Sequence, residues 1–313
     1  MIDRQSLSVT DFGRVAVLMG GRSAEREISL MSGETVLTAL QNQGIDAHKV
    51  DVDFDIAEQL RAGNFDRAFV MLHGRGGEDG AIQGLLQSMN IPFTGSDVTG
   101  AVLSMNKMIS KQSWLQQQLP TATFERVSEQ SDLDAVISRI GLPLIIKPVN
   151  EGSSIGMAKV NSADELLAAI QVATKFDAEV MAERWINGPE YTVAILDQVA
   201  LPMIRLQTPH EFYDYEAKYK TNTTEYLCPC GLTEQEESFC QQLALTAFNG
   251  LRMTGWGRVD MMRDKDGEFY LLEANSVPGM TDHSLVPMAA KQADISFETL
   301  VWKILATSVE GTV

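Results

Sequence analysis

The run from Arg14 to Gly21, Arg-Val-Ala-Val-Leu-Met-Gly-Gly, constrains the fold more than any other stretch. An apolar run this short, closed by two glycines, reads as a buried strand ending in a turn. Apolar residues then recur at helical spacing, at Ile28, Met31, Val36 and Leu40. A strand that feeds a helix through a glycine turn opens a parallel α/β layer, because parallel strands need a crossover connection. A second unit repeats the pattern, with a strand from Arg67 to Leu72, a loop from His73 to Gly80 and a helix from Ala81 to Met89. A short third strand covers Ile91 to Thr94, and residues 1–104 are expected to form one small, doubly wound α/β domain.

From residue 105 the pattern changes to α+β. Helices are expected at 107–118 and 129–140, then a buried strand from Pro143 to Pro148, a glycine- and serine-rich loop within 149–160, and a helix at 162–174. Glu179 to Ile186 and Glu190 to Leu196 read as strands, joined by Asn187-Gly188-Pro189 in a composition that favours a hairpin. Residues 105–190 are taken as one lobe. Residues 191–313 form a second, with a long polar loop, two helices and a strong hairpin, and no internal repeat is visible.

Charge and composition exclude several classes. With 25 Lys plus Arg against 42 Asp plus Glu, the net charge is −17. Such a surface repels nucleic acid unless a local basic stripe overcomes the field, and none is present. No stretch approaches the ~20 apolar residues of a membrane span. The polar residues 1–14 lack the basic-then-apolar order of a secretion leader, so a cytoplasmic protein is expected. Cys228, Cys230 and Cys240 make an odd set, for which reduced thiols are expected rather than a disulfide framework. A metal site at Cys228 and Cys230 would need two more ligands.

Three features converge on a nucleoside triphosphate. In the first, Lys147-Pro-Val-Asn-Glu-Gly-Ser-Ser-Ile-Gly-Met157, glycines and serines between two strands leave backbone N–H groups free to face phosphate oxygens. It is not a P-loop, since no Gly-Lys-Ser/Thr follows, and an ordinary flexible loop would have the same composition. The second is the hairpin from Trp256 to Asn275. With a turn at 264–267, Arg263 faces Glu268 and Asp260 faces Leu271. Alternation then gathers Asp260, Glu273 and Asn275 on one face and puts Tyr270 and Leu272 on the other. A bulge at Gly267 would break that parity. Two carboxylates and an amide suit magnesium; the alternative is a salt bridge to Arg258 on a solvated face. The third feature is the set of Lys107, Lys147 and Lys218. Lys147, beside Leu144-Ile-Ile146, needs an anion, which a phosphate or a carboxylate of this protein would supply.

The strings from Gly20 to Ser29, His73 to Gly80, Glu151 to Gly156, Phe212 to Tyr219 and Leu272 to Thr281 occur in this order. Together they closely resemble the D-alanine–D-alanine ligases of the ATP-grasp superfamily, over nearly the whole chain. The resemblance implies an α/β N-terminal domain followed by a two-lobed ATP-grasp fold. It also implies ATP-dependent joining of two D-alanines through an acyl phosphate for peptidoglycan precursors. Asp260, Glu273 and Asn275 match ligands of two magnesium ions, with manganese as a substitute. Lys107 and Lys147 match lysines on the phosphates, Glu183 and Ile186 the adenine edge, and Glu190 the ribose. Glu151, Ser153, Ser154, Arg184 and Trp185 fall in the same nucleotide segments. Glu25 matches the group that binds the first ammonium, although a helix-start charge is its ordinary role. By the same likeness Glu25, Ser153 and Tyr219 form a hydrogen-bonded triad, and His73 lies beside the first substrate. Arg258 and the N–H of Gly279 match an oxyanion site, and Ser284 with the N–H of Leu285 the second carboxylate. A lid over about 208–229 carries Lys218 to the transferring phosphate, while Tyr213, Tyr215 and Tyr219 would equally form an aromatic cluster. A homodimer is implied. Asn106 and Ser276-Val277 depart from the commoner pattern, which has an acidic residue and Thr-Ser.

Other readings compete. A related ligase with a D-lactate or D-serine acceptor would share the chemistry, but Glu25, Tyr219 and Ser284 favour D-alanine. A dinucleotide-dependent oxidoreductase lacks its Gly-x-Gly-x-x-Gly turn. A two-lobed binding protein would have no use for the Asp260, Glu273 and Asn275 set.

Overall fold

The computed structural model describes residues 6–207, 224–281 and 283–309. Lys218, Tyr219 and most of the expected lid lie outside these residues.

Strand β1 (Arg14–Gly20) is buried along residues 15–20 and lies between β2 (Asp46–Val52) and β3 (Arg67–Val70), all parallel. Helices α1 (Arg26–Asn42), α2 (Ile56–Gly63), α3 (Ala81–Ser88) and α4 (Val98–Met105) complete the unit. The expected units are present, but β2 and α2 escaped the sequence reading. The strand is an edge, with Asp46, His48, Lys49 and Asp51 interrupting its buried Ala47 and Val50, so no apolar run announces it. The expected third strand shrinks to one bridge between Ala68 and Phe93, where Pro92 has no N–H to extend a ladder.

The next unit holds α5 (Lys107–Gln116), β4 (Phe124–Val127), α6 (Leu133–Ile140), β5 (Leu144–Pro148), β6 (Ala158–Val160), α7 (Ala163–Ala173) and β7 (Val180–Arg184). Its antiparallel sheet has the order β4-β7-β5-β6. Leu144, Ile146, Val180 and Ala182 pack with Val136, Ile140, Leu166 and Ile170 of the two flanking helices. Alternation therefore turns Ile145, Lys147, Met181 and Glu183 to the opposite face.

The remainder forms β8 (Glu190–Leu196), β9 (Val199–Ala200), β10 (Ile204–Gln207), β11 (Glu225–Leu227), α8 (Glu234–Gly250), β12 (Trp256–Arg263), β13 (Phe269–Asn275), α9 (Leu285–Gln292) and α10 (Phe297–Ala306). The six-stranded sheet runs β11-β10-β8-β12-β13, with β9 on β8. Among the described residues three helices stand here, where two were expected. Their spacing was obscured because α9 and α10 are short and separated by only a few residues.

The expected hairpin of β7 with β8 does not form. Strand β7 pairs with β4 and β5, whereas β8 pairs with β10 and β12. The intervening segment crosses between sheets, and the Arg263 N–H donates to the Pro189 carbonyl at 3.0 Å. Gly188 is pressed so closely on the Arg263 carbonyl that a Cβ there would lie 1.9 Å from its oxygen. The glycine serves a crossing, not a turn.

Helices α9 and α10 return to the first unit, where Leu285, Val286, Leu300, Val301, Ile304 and Leu305 join Phe12, Val15, Val17 and Leu40 in one apolar core. Arg67 fastens this closure, donating to the carbonyls of Phe12 at 2.6 Å and Ser308 at 3.0 Å. Cys228, Cys230 and Cys240 are free thiols, and burial pushes Cys240 up to about 12 and Cys228 to about 11. No described helix is long and apolar enough to cross a membrane. Trp114 joins α5 to α8, fully buried, with its indole N–H donating to the Ala247 carbonyl at 3.1 Å. Trp114→Ala is expected to cost about 3–5 kcal/mol, read from the midpoint of urea unfolding.

Candidate active site at the junction of three units

Between the four-stranded and six-stranded sheets lies a cleft whose walls follow from strand alternation. One wall carries Ile145 and Lys147 of β5 and Glu183 and Arg184 of β7. The crossing segment supplies Trp185 to Pro189, and the other wall carries Glu190, Leu206, Met262, Leu272 and Glu273. Lys107, Glu151 and Ser154 close one end. Nine residues expected around a nucleotide thus share one cleft: Lys107, Lys147, Glu151, Ser154, Glu183, Arg184, Trp185, Ile186 and Glu190.

Its deepest feature is a charged seam. Glu183, 1% exposed, is paired with Lys111 at 2.5 Å and Lys147 at 2.7 Å. Burial alone would raise the Glu183 carboxyl, but the two ammonium groups outweigh it and hold it below its ordinary value. Lys147 therefore has a protein carboxylate as partner, one of the two anions its apolar setting demanded. Burial in turn lowers Lys111, against the pull of Glu183. Lys111 escaped the sequence reading, although its spacing from Lys107 puts both on one face of α5. Asn106 starts that helix, its side-chain Oδ1 accepting from the Ile109 N–H at 3.0 Å. Asn106 therefore serves as the N-cap of α5. Lys107 reaches the Glu151 carbonyl at 2.6 Å and lies 3.7 Å from Glu273.

The hairpin gathers the expected carboxylates by a different register. Arg263 faces Phe269, not Glu268, so the turn is one residue longer than expected. A bulge beside Asp260 and Met261 then restores the parity, bringing Asp260 opposite Glu273 and Arg258 opposite Asn275. Leu271 consequently faces the core with Val259, Met261 and Ala274, while Leu272 lines the cleft beside Glu273. This reverses the expected faces of Leu271 and Leu272.

The Asp260 carboxylate is almost enclosed. It accepts from Thr192 Oγ1 at 2.5 Å, Arg258 Nε at 2.8 Å, Arg258 Nη2 at 2.7 Å and Asn275 Nδ2 at 3.0 Å. The alternative salt bridge to Arg258 is therefore real, but its side chains are 14% and 5% exposed, so the face is not solvated. Among the described residues no group of three His, Cys, Asp or Glu side chains converges. The Asn275 amide nitrogen is engaged by Asp260, which leaves its oxygen as a third oxygen donor beside the two carboxylates.

Glu25 is the N-cap residue of α1, but its side chain makes no capping bond and is buried, so it is not a surface helix-start charge. Its carboxylate instead accepts a short hydrogen bond from Ser153 Oγ, linking the first unit to the glycine-rich loop. Gly74 and Gly152 flank it so closely that a Cβ would lie 2.8 Å and 2.9 Å from Glu25 Oε2. Ser153 and Ser154 both have left-handed backbones, at φ 51° and 59°, a conformation costly outside glycine. His73 is buried, and its Nδ1 donates to the Val277 carbonyl at 2.8 Å. Burial lowers this imidazole, against the Glu25 charge.

A turn after β13 completes the site. The Met280 N–H donates to Ser32 Oγ of α1 at 3.1 Å, fixing the neighbouring Gly279. Ser284 Oγ accepts from the Thr281 N–H at 2.9 Å, and Leu285 opens α9 with an N–H of the kind that attracts carboxylates. Glu78, another residue the sequence did not single out, accepts from the N–H groups of Gly74 at 2.8 Å and Val277 at 3.1 Å. It ties the first unit's loop to this turn.

Two antiparallel sheets closing on a lysine-lined cleft, behind a parallel α/β unit, define an ATP-grasp protein. Models described as D-ala D-ala ligase N-terminus and D-ala D-ala ligase C-terminus match residues 47–96 and 114–306. The D-alanine–D-alanine ligase of Nitrosococcus oceani is 55% identical over 304 residues, covering 97% of this chain and 96% of its own. Among solved structures, the D-alanine–D-alanine ligase of Bacillus anthracis superposes with a TM-score of 0.85 at 33% identity, over 94% of this chain and 97% of its own. A structure of the same enzyme complexed with ATP gives a TM-score of 0.82 at 30% identity over the same shares. The chain belongs to the D-alanine–D-alanine ligase family.

Burial, and then the nearby Glu25 charge, raise the Glu78 carboxyl from 4.5 to about 7. Between these values the unfolded chain has released a proton that the native state still holds, so stability falls as pH rises through this window. Glu78→Gln is expected to flatten that fall, measured as Tm against pH.

Proposed function

We propose that the protein joins two D-alanines to D-alanyl-D-alanine through a D-alanyl phosphate, with ADP and phosphate released, to supply peptidoglycan precursors in the cytoplasm. The observation that carries this reading is the common cleft of the nine nucleotide residues, in a chain 55% identical to a D-alanine–D-alanine ligase. The Glu25–Ser153 contact lies where the glycine-rich loop meets the first unit.

Glu183 and Ile186 hold the adenine edge, Glu190 the ribose hydroxyls, and Lys107 and Lys147 the phosphates, with Glu151, Ser153, Ser154, Arg184 and Trp185 around them. Lys147 thus exchanges part of its attraction to Glu183 for the incoming anion. The donor set of Asp260, Glu273 and Asn275 is all oxygen and fits magnesium, with manganese as a substitute. Bound there as two ions, the metal would neutralise the triphosphate as charge shifts during transfer.

Glu25 receives the ammonium of the first D-alanine, which directs its carboxylate towards the phosphates. His73, neutral and fixed by Val277, packs beside it. Ser284 and the Leu285 N–H hold the second carboxylate at the start of α9, placing its amine for attack on the acyl phosphate. Arg258 and the Gly279 N–H offset the charge on the tetrahedral oxygen. Lys218 and Tyr219, which the resemblance assigns to the phosphate and to the Glu25–Ser153 pair, lie outside the described residues. Exclusion of water matters, because an acyl phosphate open to solvent hydrolyses before the amine arrives.

Magnesium-dependent phosphate release from ATP is expected with D-alanine, yielding the dipeptide, and not with L-alanine. Glu273→Gln is expected to abolish release while Tm stays near that of the unaltered protein. Normal turnover by that variant would refute the metal assignment.

A further inference from the structure

Lys111 has no place in the scheme above, yet it is a fully buried charge behind the cleft wall, at 0% exposure, paired with the wall residue Glu183. Its ammonium has three partners from three segments of the chain: Glu183 at 2.5 Å, Thr121 Oγ1 at 2.6 Å and the Leu271 carbonyl at 3.2 Å. The ring of Phe124 lies 6.0 Å away. An unpaired lysine in such surroundings would lose its proton or force the fold open. The pairing has a direction. Lys147 also reaches Glu183, but it lines the cleft where the phosphates are proposed to bind, whereas Lys111 does not line the cleft and has no exposed side-chain surface.

The two lysines therefore differ in what a nucleotide does to them. Phosphate draws on Lys147, and only Lys111 then holds the Glu183 carboxylate ionised and in place. An ionised carboxylate accepts hydrogen bonds and cannot donate them. It accepts from the 6-amino group of adenine and repels the 6-keto oxygen of hypoxanthine or guanine.

We propose that Lys111 is a positioning residue that sets selectivity for 6-aminopurine nucleotides by holding Glu183 as a fixed, ionised acceptor. The inference rests on reading the cleft as the ATP site. It goes beyond that reading in assigning base discrimination to a residue that touches no substrate. The contact with the Leu271 carbonyl extends the same anchor to β13, next to the bulge that turns Leu272 and Glu273 into the cleft.

The test compares binding of ATP and ITP to the full chain by calorimetry, for the unaltered protein, Lys111→Met and Thr121→Val, with steady-state kinetics alongside. The unaltered protein is expected to prefer ATP. In Lys111→Met the ATP-to-ITP preference falls about tenfold or more, as loss of a charge-assisted contact implies. The KM for ATP rises while the KM for D-alanine stays unchanged. A folded Lys111→Met protein that keeps the full preference overturns the proposal, as does an unaltered protein that binds both nucleotides equally. If Lys111→Met does not fold, Thr121→Val decides: it keeps the lysine but removes its hydroxyl partner. A smaller loss of preference supports the proposal, and an unchanged ratio overturns it. Absence of saturable ATP binding to the unaltered protein overturns the reading of the cleft instead.

Discussion

The arrangement of the cleft depends on one buried carboxylate shared by two lysines. Glu183 on β7, Lys147 on β5 and Lys111 on α5 are brought together in a region with almost no access to water. None of the three charges is tolerable there alone: removing Glu183 leaves two buried ammonium groups without their shared partner, and removing either lysine leaves the carboxylate to the other. The cluster therefore makes helix placement and sheet placement a single requirement. Because Lys111 and Thr121 also hold the Leu271 carbonyl, that requirement crosses to the second sheet and reaches the strand bearing Glu273 and Asn275.

The first unit joins this frame through short polar contacts as well as the apolar core it shares with α9 and α10. Ser153 donates to Glu25, Glu78 accepts from both sides of the junction, and Ser32 accepts from the Met280 N–H. Arg75 adds an ion pair to Glu151 at 2.6 Å. Contacts of this kind fix direction without committing large apolar surfaces, which suits a junction that substrates must enter. The reacting groups are thereby drawn from three units, each contributing a few side chains on rigid elements.

Much of this was legible in the sequence, for identifiable reasons. The glycine-closed run at Arg14 announced a parallel layer, and the order of five motifs identified the family and grouped the nucleotide residues. What escaped was tertiary in origin. Strand β2 carries too many polar residues to signal itself, and the pairing of β8 with β12 instead of β7 is a choice between partners that local composition does not contain. Lys111 looked like one more helix lysine, because its burial depends on Glu183, 72 positions along the chain. The grouping of Asp260, Glu273 and Asn275 was anticipated, but through a register in which the turn was one residue too short and the bulge was missing.

Those two offsets add to a shift of two residues, which returns the side chains to the same face, and this restricts how the chain can vary in length. A turn one residue shorter, with the bulge retained, would rotate β13 against β12 and bury the carboxylate side of one strand in the core. Loss of the bulge, with the turn retained, would do the same to Glu273 and Asn275. Only paired changes leave the oxygen donors together. Insertions and deletions in the hairpin between Asp260 and Asn275 are therefore admissible in compensating couples, so this segment is frozen in length far more strictly than in the identity of its turn residues.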